Sequence, residues 1–256
     1  MIVERPARRD MLLLPLMLAL AGCSRNVREP GEIIVGSSPT GVPYSFVDPW
    51  TNSFTGAMID TVRAVTGALR LKPEFAITPF SALVPSLVAR KIDMIAAAML
   101  RTPEREKIVA FSDPIFPYPA GLVVRRENRT SYPDLTALRG LRVGAQVGTR
   151  FVDQLRDAGV DQVKTYDALA DILRDVSFGR LDAGYGDEPV LRYQLRVGPK
   201  RNARLVPEFR APLLEQLCLV TRKGDPLLAR VNTAIASLKD REIPAIKQRW
   251  KLAEPA

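Results

Sequence analysis

The sequence predicts two interleaved α/β lobes, each a mainly parallel sheet flanked by helices, with the chain crossing between them twice. Three observations carry that expectation. Short apolar or β-branched runs alternate with stretches of helical periodicity along the whole body, the pattern of parallel strands covered by helices. At 256 residues the chain exceeds one average domain. Two proline-containing breaks, Pro114–Gly121 and Val206–Pro212, read as crossings between the same two lobes. One lobe is then 32–118 plus 212–256, and the other is 119–211.

The elements follow in order. Ile33-Ile34-Val35 reads as a strand, and Met58, Val62, Val65 and Leu69 mark a helix stripe after it. Phe80, Leu83, Val84, Leu87 and Val88 recur at helical spacing and predict a single amphipathic helix. The run from Ile92 to Ala98 lacks alternation, as expected for a strand buried on both faces. In Thr102-Pro103-Glu104-Arg105, Thr102 suits an N-cap and Pro103 the first helical position. Arg142–Val147 reads as strand and Phe151–Asp157 as helix. Leu169, Ile172, Leu173 and Val176 form another helix stripe, and Leu181–Gly186 another strand. Pro226–Trp250 is helical, with Leu228, Val231, Ile235 and Leu238 on its apolar face.

Composition narrows the chemistry. The chain has no histidine, which removes imidazole bases, His-assisted nucleophiles and His-ligated metals. Two cysteines, Cys23 and Cys218, supply neither a thiolate cluster nor a disulfide framework. No cofactor or metal is implied. Lys plus Arg number 37 against 28 Asp plus Glu, a net charge of +9, but the charges are dispersed and interleaved, so no nucleic-acid stripe forms. Cys218, in Leu217-Cys218-Leu219-Val220, reads as a buried small hydrophobe.

The first 22 residues read as a leader. Arg5, Arg8 and Arg9 precede the apolar Met11–Leu20, which is too short to span a bilayer but fits an export signal. Leu20-Ala21-Gly22-Cys23 resembles the lipobox of bacterial lipoproteins, which implies lipidation of Cys23. Residues 23–31 then form a polar tether, and its Ser24–Gly31 stretch reaches at most about 28 Å. Arg8-Arg9 also resembles a twin-arginine export signal, so the export route stays open.

Arg105 stands in the first turn of its helix, beside free backbone N–H groups; its planar fork suits a carboxylate. A surface ion pair to Glu104 or Glu106 is the alternative. The segment around it, ARKIDMIAAAMLRTPEREKIVAFSDPIF (Ala89–Phe116), resembles the solute-binding proteins of polar amino-acid ABC transporters, the bacterial extracellular family 3. Val35–Phe46, Leu138–Thr149 and Gly179–Val190 extend the resemblance in order. It covers nearly all of Glu32–Trp250.

The resemblance implies the two-lobed periplasmic-binding-protein fold, type II-like, with a monomer that closes around its ligand. It implies that Arg105 grips an α-carboxylate, that Asp187 holds an α-ammonium from the second lobe, and that Gly148 and Thr149 meet the carboxylate at a helix N-terminus. Phe80 flanks the ligand side chain, Ala98 and Leu100 offer backbone groups, and Gln146 is a variable contact. Read from the residues alone, Asp187 and Thr149 also suit helix caps, and Phe80 also suits core. Arg150 is a second cation beside the cleft or a solvent-facing one.

Three positions depart from the family's pattern. Leu100 replaces a hydroxyl residue; Gly41 stands in place of an aromatic that often stacks on the ligand, a change that would leave more room; and Ser38 replaces an aspartate of relatives that bind cationic side chains. The implied function is capture of an amino acid or related small carboxylate, delivered to an ABC permease by a protein anchored to a membrane. The fold also resembles cyclohexadienyl dehydratases, for which Asp187 or Glu188 would serve as general acid on a prephenate-like substrate.

Overall fold

The computed structural model describes residues 29–97 and 99–252. The expected signal segment, Cys23 and most of the tether lie outside them, as does Ala98. From Gly31 onward the chain forms one contact unit. β1 (Glu32–Ser37) opens it, followed by a small antiparallel layer of β2 (Thr40–Gly41), β3 (Ser45–Val47) and β4 (Phe54–Thr55). α1 (Ala57–Ala68) buries Met58, Val62 and Val65, the face its sequence spacing predicts. β5 (Lys72–Ile77), α2 (Leu83–Val88), β6 (Met94–Ile95), α3 (Pro103–Glu106) and β7 (Val109–Phe111) come next.

β8 (Phe116–Arg125) carries the chain across. β9 (Arg142–Gln146), α4 (Arg150–Asp157), β10 (Gln162–Tyr166), α5 (Leu169–Ser177), β11 (Ala183–Asp187), α6 (Glu188–Val197) and β12 (Ala203–Leu205) build the second lobe. The chain returns through β13 (Leu214–Leu217) to β14 (Val220–Arg222), α7 (Leu227–Leu238) and α8 (Glu242–Arg249).

The two large sheets share one plan. Their orders are β5-β1-β6-β14-β7 and β10-β9-β11-β8-β12, with β13 paired to β8. In the first, β1 is parallel to β5 and β6, and only β14 runs against its neighbours. In the second, β9 is parallel to β10 and β11, and only β8 is reversed. Both sheets are therefore mixed: all strands but one run the same way in each, the direction expected of parallel α/β lobes, but the reversed strand makes its own ladders antiparallel. The two crossings pair as an antiparallel ribbon, Phe116 with Leu217 and Tyr118 with Glu215.

Three segments differ from the sequence expectation, and one strand adds to it. The run Ile92–Ala98 contributes a strand of only Met94–Ile95. Asp93 breaks the run, its carboxylate accepting from the Ile34 N–H at 3.0 Å and pairing with Arg222. The helix read from Phe80 splits into a 3-10 turn, Phe80–Ala82, and α2. Pro85 has no N–H for the Ser81 carbonyl, so an α-helix beginning at Phe80 would lack that bond. Val88, read as part of the apolar stripe, is 53% exposed. Pro114–Gly121 is mostly strand, with Pro117 and Pro119 outward while Phe116, Tyr118 and Ala120 are buried. Finally, β5 tolerates Pro73 because it is an edge strand.

Cys218 is buried and free, and burial pushes its thiol up to about 11, which keeps it protonated and inert.

Candidate functional site

Strand ends of both sheets meet at one cleft, where parallel α/β sheets place their ligands. A cavity of about 10 Å³, the size of one water, marks its centre. The first lobe contributes Ser38, Thr40, Gly41, Ser45, Phe80 and Ala97; the second contributes Gln146, Thr149, Leu169 and Asp187. The extra room expected from Gly41 does not appear as a larger cavity here. Gln146 closes the space, donating to Thr40 Oγ1 at 3.1 Å across the lobes and to the Asp167 carbonyl at 2.8 Å.

Asp187 ends β11 at 5% exposure. It occupies the N-cap position of α6 without making a side-chain cap bond, so its carboxylate is free for other partners. The Tyr118 hydroxyl donates to Asp187 Oδ1. Burial raises the Asp187 pKa to about 7; the Tyr118 bond opposes the shift and the nearby Glu215 carboxylate adds to it. Tyr118 itself is held well above the ordinary phenol range, chiefly by burial and then by Asp187.

Arg105 reaches the same cleft from the other lobe. Thr102 caps α3, accepting from the Arg105 N–H at 3.2 Å, and Pro103 follows as the sequence predicts. The half-buried guanidinium donates to the Leu100 carbonyl and to the Gly148 carbonyl, each at 2.6 Å. Burial lowers its pKa, although an arginine stays charged. The surface ion pair considered from sequence does not form: Glu106 faces Arg101 at 3.4 Å instead.

Gly148 needs to be glycine. Its φ is +75°, and a Cβ there would lie 3.3 Å from Ser81 of the opposite lobe. Thr149 takes the N-cap position of α4 but spends its hydroxyl on the Gln146 carbonyl at 2.7 Å. The first amides of α4 therefore lack a side-chain cap, the usual condition for accepting an anion.

The cavity thus gathers Asp187, Thr149, Phe80 and Gln146 directly. Arg105, Gly148 and Leu100 adjoin it through the guanidinium's two bonds. Phe80 is half-buried, packing against the core cluster of Leu83 and Leu87 while also lining the cavity. Ala98 lies outside the described residues.

Arg150 is tied down rather than solvent-facing. It pairs with Glu215 at 3.3 Å, where the two side chains are 21% and 3% exposed. Gln154 also bonds Glu215, at 3.1 Å, and accepts from the Tyr185 hydroxyl at 2.8 Å. Burial raises the Glu215 pKa, while Arg150 and Gln154 pull it back. Sequence reading missed Tyr118 and Glu215. Both sit at inward positions of an alternating strand, Phe116-Pro117-Tyr118-Pro119-Ala120 and Leu214-Glu215-Gln216-Leu217, and that alternation was the available signal.

Residues 33–253 match the bacterial extracellular solute-binding proteins, family 3. The chain is 28% identical to the ABC transporter arginine-binding protein 1 of Escherichia coli (strain K12) over 247 residues, covering 94% of this chain and 99% of that one. Among solved structures, an ancestral arginine-binding protein bound to arginine is 32% identical with a TM-score of 0.78, covering 86% of this chain and 98% of that one. An ancestral amino-acid-binding protein described as a precursor of cyclohexadienyl dehydratase is 29% identical with a TM-score of 0.76, covering 86% and 95%.

Proposed function

This chain belongs to the bacterial extracellular solute-binding proteins, family 3, and from that premise we propose that it captures an amino acid or related small carboxylate between its lobes for an ABC importer. One observation carries the reading. The buried carboxyl of Asp187 lines the cleft cavity from the second lobe, and the Arg105 guanidinium of the first lobe bonds the carbonyl of Gly148, next to the lining residue Thr149, an arrangement that suits the two ends of a zwitterion. A ligand carboxylate would offer the Arg105 fork charged oxygens in place of two neutral carbonyls, a stronger, bidentate partner. The uncapped amides of α4 support the same end of the ligand. The ammonium would neutralise Asp187.

Arg105, Asp187, Thr149, Gly148, Phe80, Gln146, Leu100 and Ala98 make up the proposed contact set, with Arg150 acting through Glu215. Ser38, Thr40 and Gln146 line the remaining space with uncharged polar groups, which favours an uncharged side chain on the ligand. Only contacts richer in the closed state shift the balance toward closure, and a guest held by both lobes provides them. The lobes are taken as 32–118 plus 212–256 and 119–211. Lipidated Cys23, following a signal peptide of residues 1–22, would hold this monomer at a membrane beside its permease.

A second reading rests on Asp187. A buried carboxyl with a pKa of about 7 is poised as a general acid, the group a dehydratase acting on prephenate or arogenate requires. A thermal-shift screen over the amino acids, small carboxylates and prephenate tests the first reading. A specific upward shift with an amino acid or carboxylate supports capture; no shift with any of them overturns it. Incubation with prephenate and arogenate, watching for the aromatic product, decides the second.

A further inference from the structure

A second pocket of about 640 Å³ lies against the two crossing segments, and none of its lining residues lines the cleft cavity. That volume falls among those of small-molecule sites, about 300–1,000 Å³. Its floor is recessed and apolar: Phe116, Tyr118 and Phe209 line it, all below 9% exposure. Its rim is cationic. Arg192, Arg196, Arg210, Lys247 and Lys251 surround a single acid, Glu188.

Glu188 is already engaged with Arg192, one turn along α6. Among the described residues, no carboxylate lies within ion-pair distance of Arg196, Arg210, Lys247 or Lys251. Two of these cations sit over rings of the pocket: Arg196 over Tyr193 and Lys247 over Phe116, each 5.7 Å from the centroid. They belong to opposite walls. Arg196 rides on α6 of the second lobe. Lys247 rides on α8, where Trp250 Nε1 donates to Asp60 of α1 at 2.9 Å. An occupant would therefore touch both lobes at the crossing.

We propose that this pocket binds a small amphiphilic carboxylate, its apolar body on the aromatic floor and its anionic end on the cationic rim. Charge complementarity selects the anion, since four rim cations have no ion-pair partner among the described residues. Concavity selects a soluble molecule over a lipid surface, because Phe116, Tyr118 and Phe209 are sunk in the floor, while the exposed Leu213 and Leu214 extend the apolar wall at the edge. No residue lines both sites, although they adjoin through Tyr118, whose side chain lines this pocket and whose hydroxyl bonds Asp187 of the cleft.

The experiment titrates 3-phenylpropionate into the protein by calorimetry. The controls are the neutral amide of the same acid and vesicles of phosphatidylglycerol. Saturable binding of the acid is expected at up to millimolar concentration, at least about tenfold weaker for the amide, or about 1.4 kcal/mol. Lys247→Glu and Arg196→Glu should each weaken it about tenfold or more while melting like the wild type. Arg105→Ala should leave it unchanged.

In a Trp50→Phe background, only Trp250 remains, and its emission should shift on binding. Absence of saturable binding, equal binding of the amide, or loss in Arg105→Ala with retention in Lys247→Glu would each overturn the proposal. Binding of vesicles alone would overturn it as well.

Discussion

At Asp187 the physics is a contest between burial, which favours the neutral acid, and the hydroxyl of Tyr118, which favours the anion; burial wins, and the pKa stands at about 7. An ammonium guest needs the anion. Below pH 7 its binding must first expel a proton, so affinity should fall by up to about tenfold for each pH unit below that value. Calorimetry in buffers of different ionisation enthalpy would register the released proton. Tyr118→Phe removes the opposing bond, raising the carboxyl's pKa further and moving the affinity profile to higher pH. A pH-independent affinity would refute the ammonium role. The same shift has a stability sign: the folded form holds a proton that the unfolded form releases, so the ligand-free protein loses stability as pH rises from near 3.8 to about 7. Arg105 is the complementary case. Truncating it to alanine removes the only charged group bonded to the Gly148 carbonyl among the described residues. We expect about 2–5 kcal/mol of lost affinity, roughly thirtyfold to a few thousandfold, against a smaller drop in melting temperature of the ligand-free protein from the two lost carbonyl bonds, each about 0.5–1.5 kcal/mol.

Among the elements, the turn between β9 and α4 decides how closely the lobes approach. Gly148→Ala places a side chain at φ +75°, which costs about 1–2 kcal/mol, and brings a methyl to 3.3 Å from Ser81. Melting temperature and ligand affinity should both fall; an alanine variant that binds as tightly as the wild type would show that the lobes never come this close. This scale also shows what sequence could and could not reveal. Helices with a regular apolar stripe, such as α1, α5 and α7, were legible because 3.6-residue periodicity records one buried face. The split at Phe80 was not, because its cause is a missing N–H at Pro85 inside an intact apolar stripe. β6 was over-read for a different reason: Ile92, Ala96 and Ala97 are as buried as Met94 and Ile95, so apolar content alone does not mark where the ladder stops, and Asp93 is the one polar signal in the run. In the site, Arg105 and Asp187 were recognisable through family motifs. Tyr118 and Glu215 were hidden in a proline-rich crossing that reads as a linker, although both partner the site through bonds between residues far apart in sequence.

For the molecule as a whole, the two lobes already touch across the cleft through Arg105–Gly148 and Gln146–Thr40. A bound guest would add to those bonds from both sides. Ligand at about 100 times its dissociation constant should then stabilise the fold by about 2.7 kcal/mol. For a chain of this size that is a rise of roughly 5–11 °C in melting temperature. Small-angle scattering should register a decrease in radius of gyration on adding ligand if the unliganded protein samples an open form. A melting temperature insensitive to every amino acid and carboxylate would count against capture by closure.

The strand order of the first sheet has a bearing on biosynthesis. β14 is seated between β6 and β7, which are made more than a hundred residues before it. The second lobe is a continuous stretch and holds all its own strands before β14 emerges. The first must wait with a slot in its middle. A chain stopped after β13 would expose the facing edges of β6 and β7, unpaired and inviting association with other chains. Premature termination should therefore produce aggregates rather than a half-sized soluble lobe.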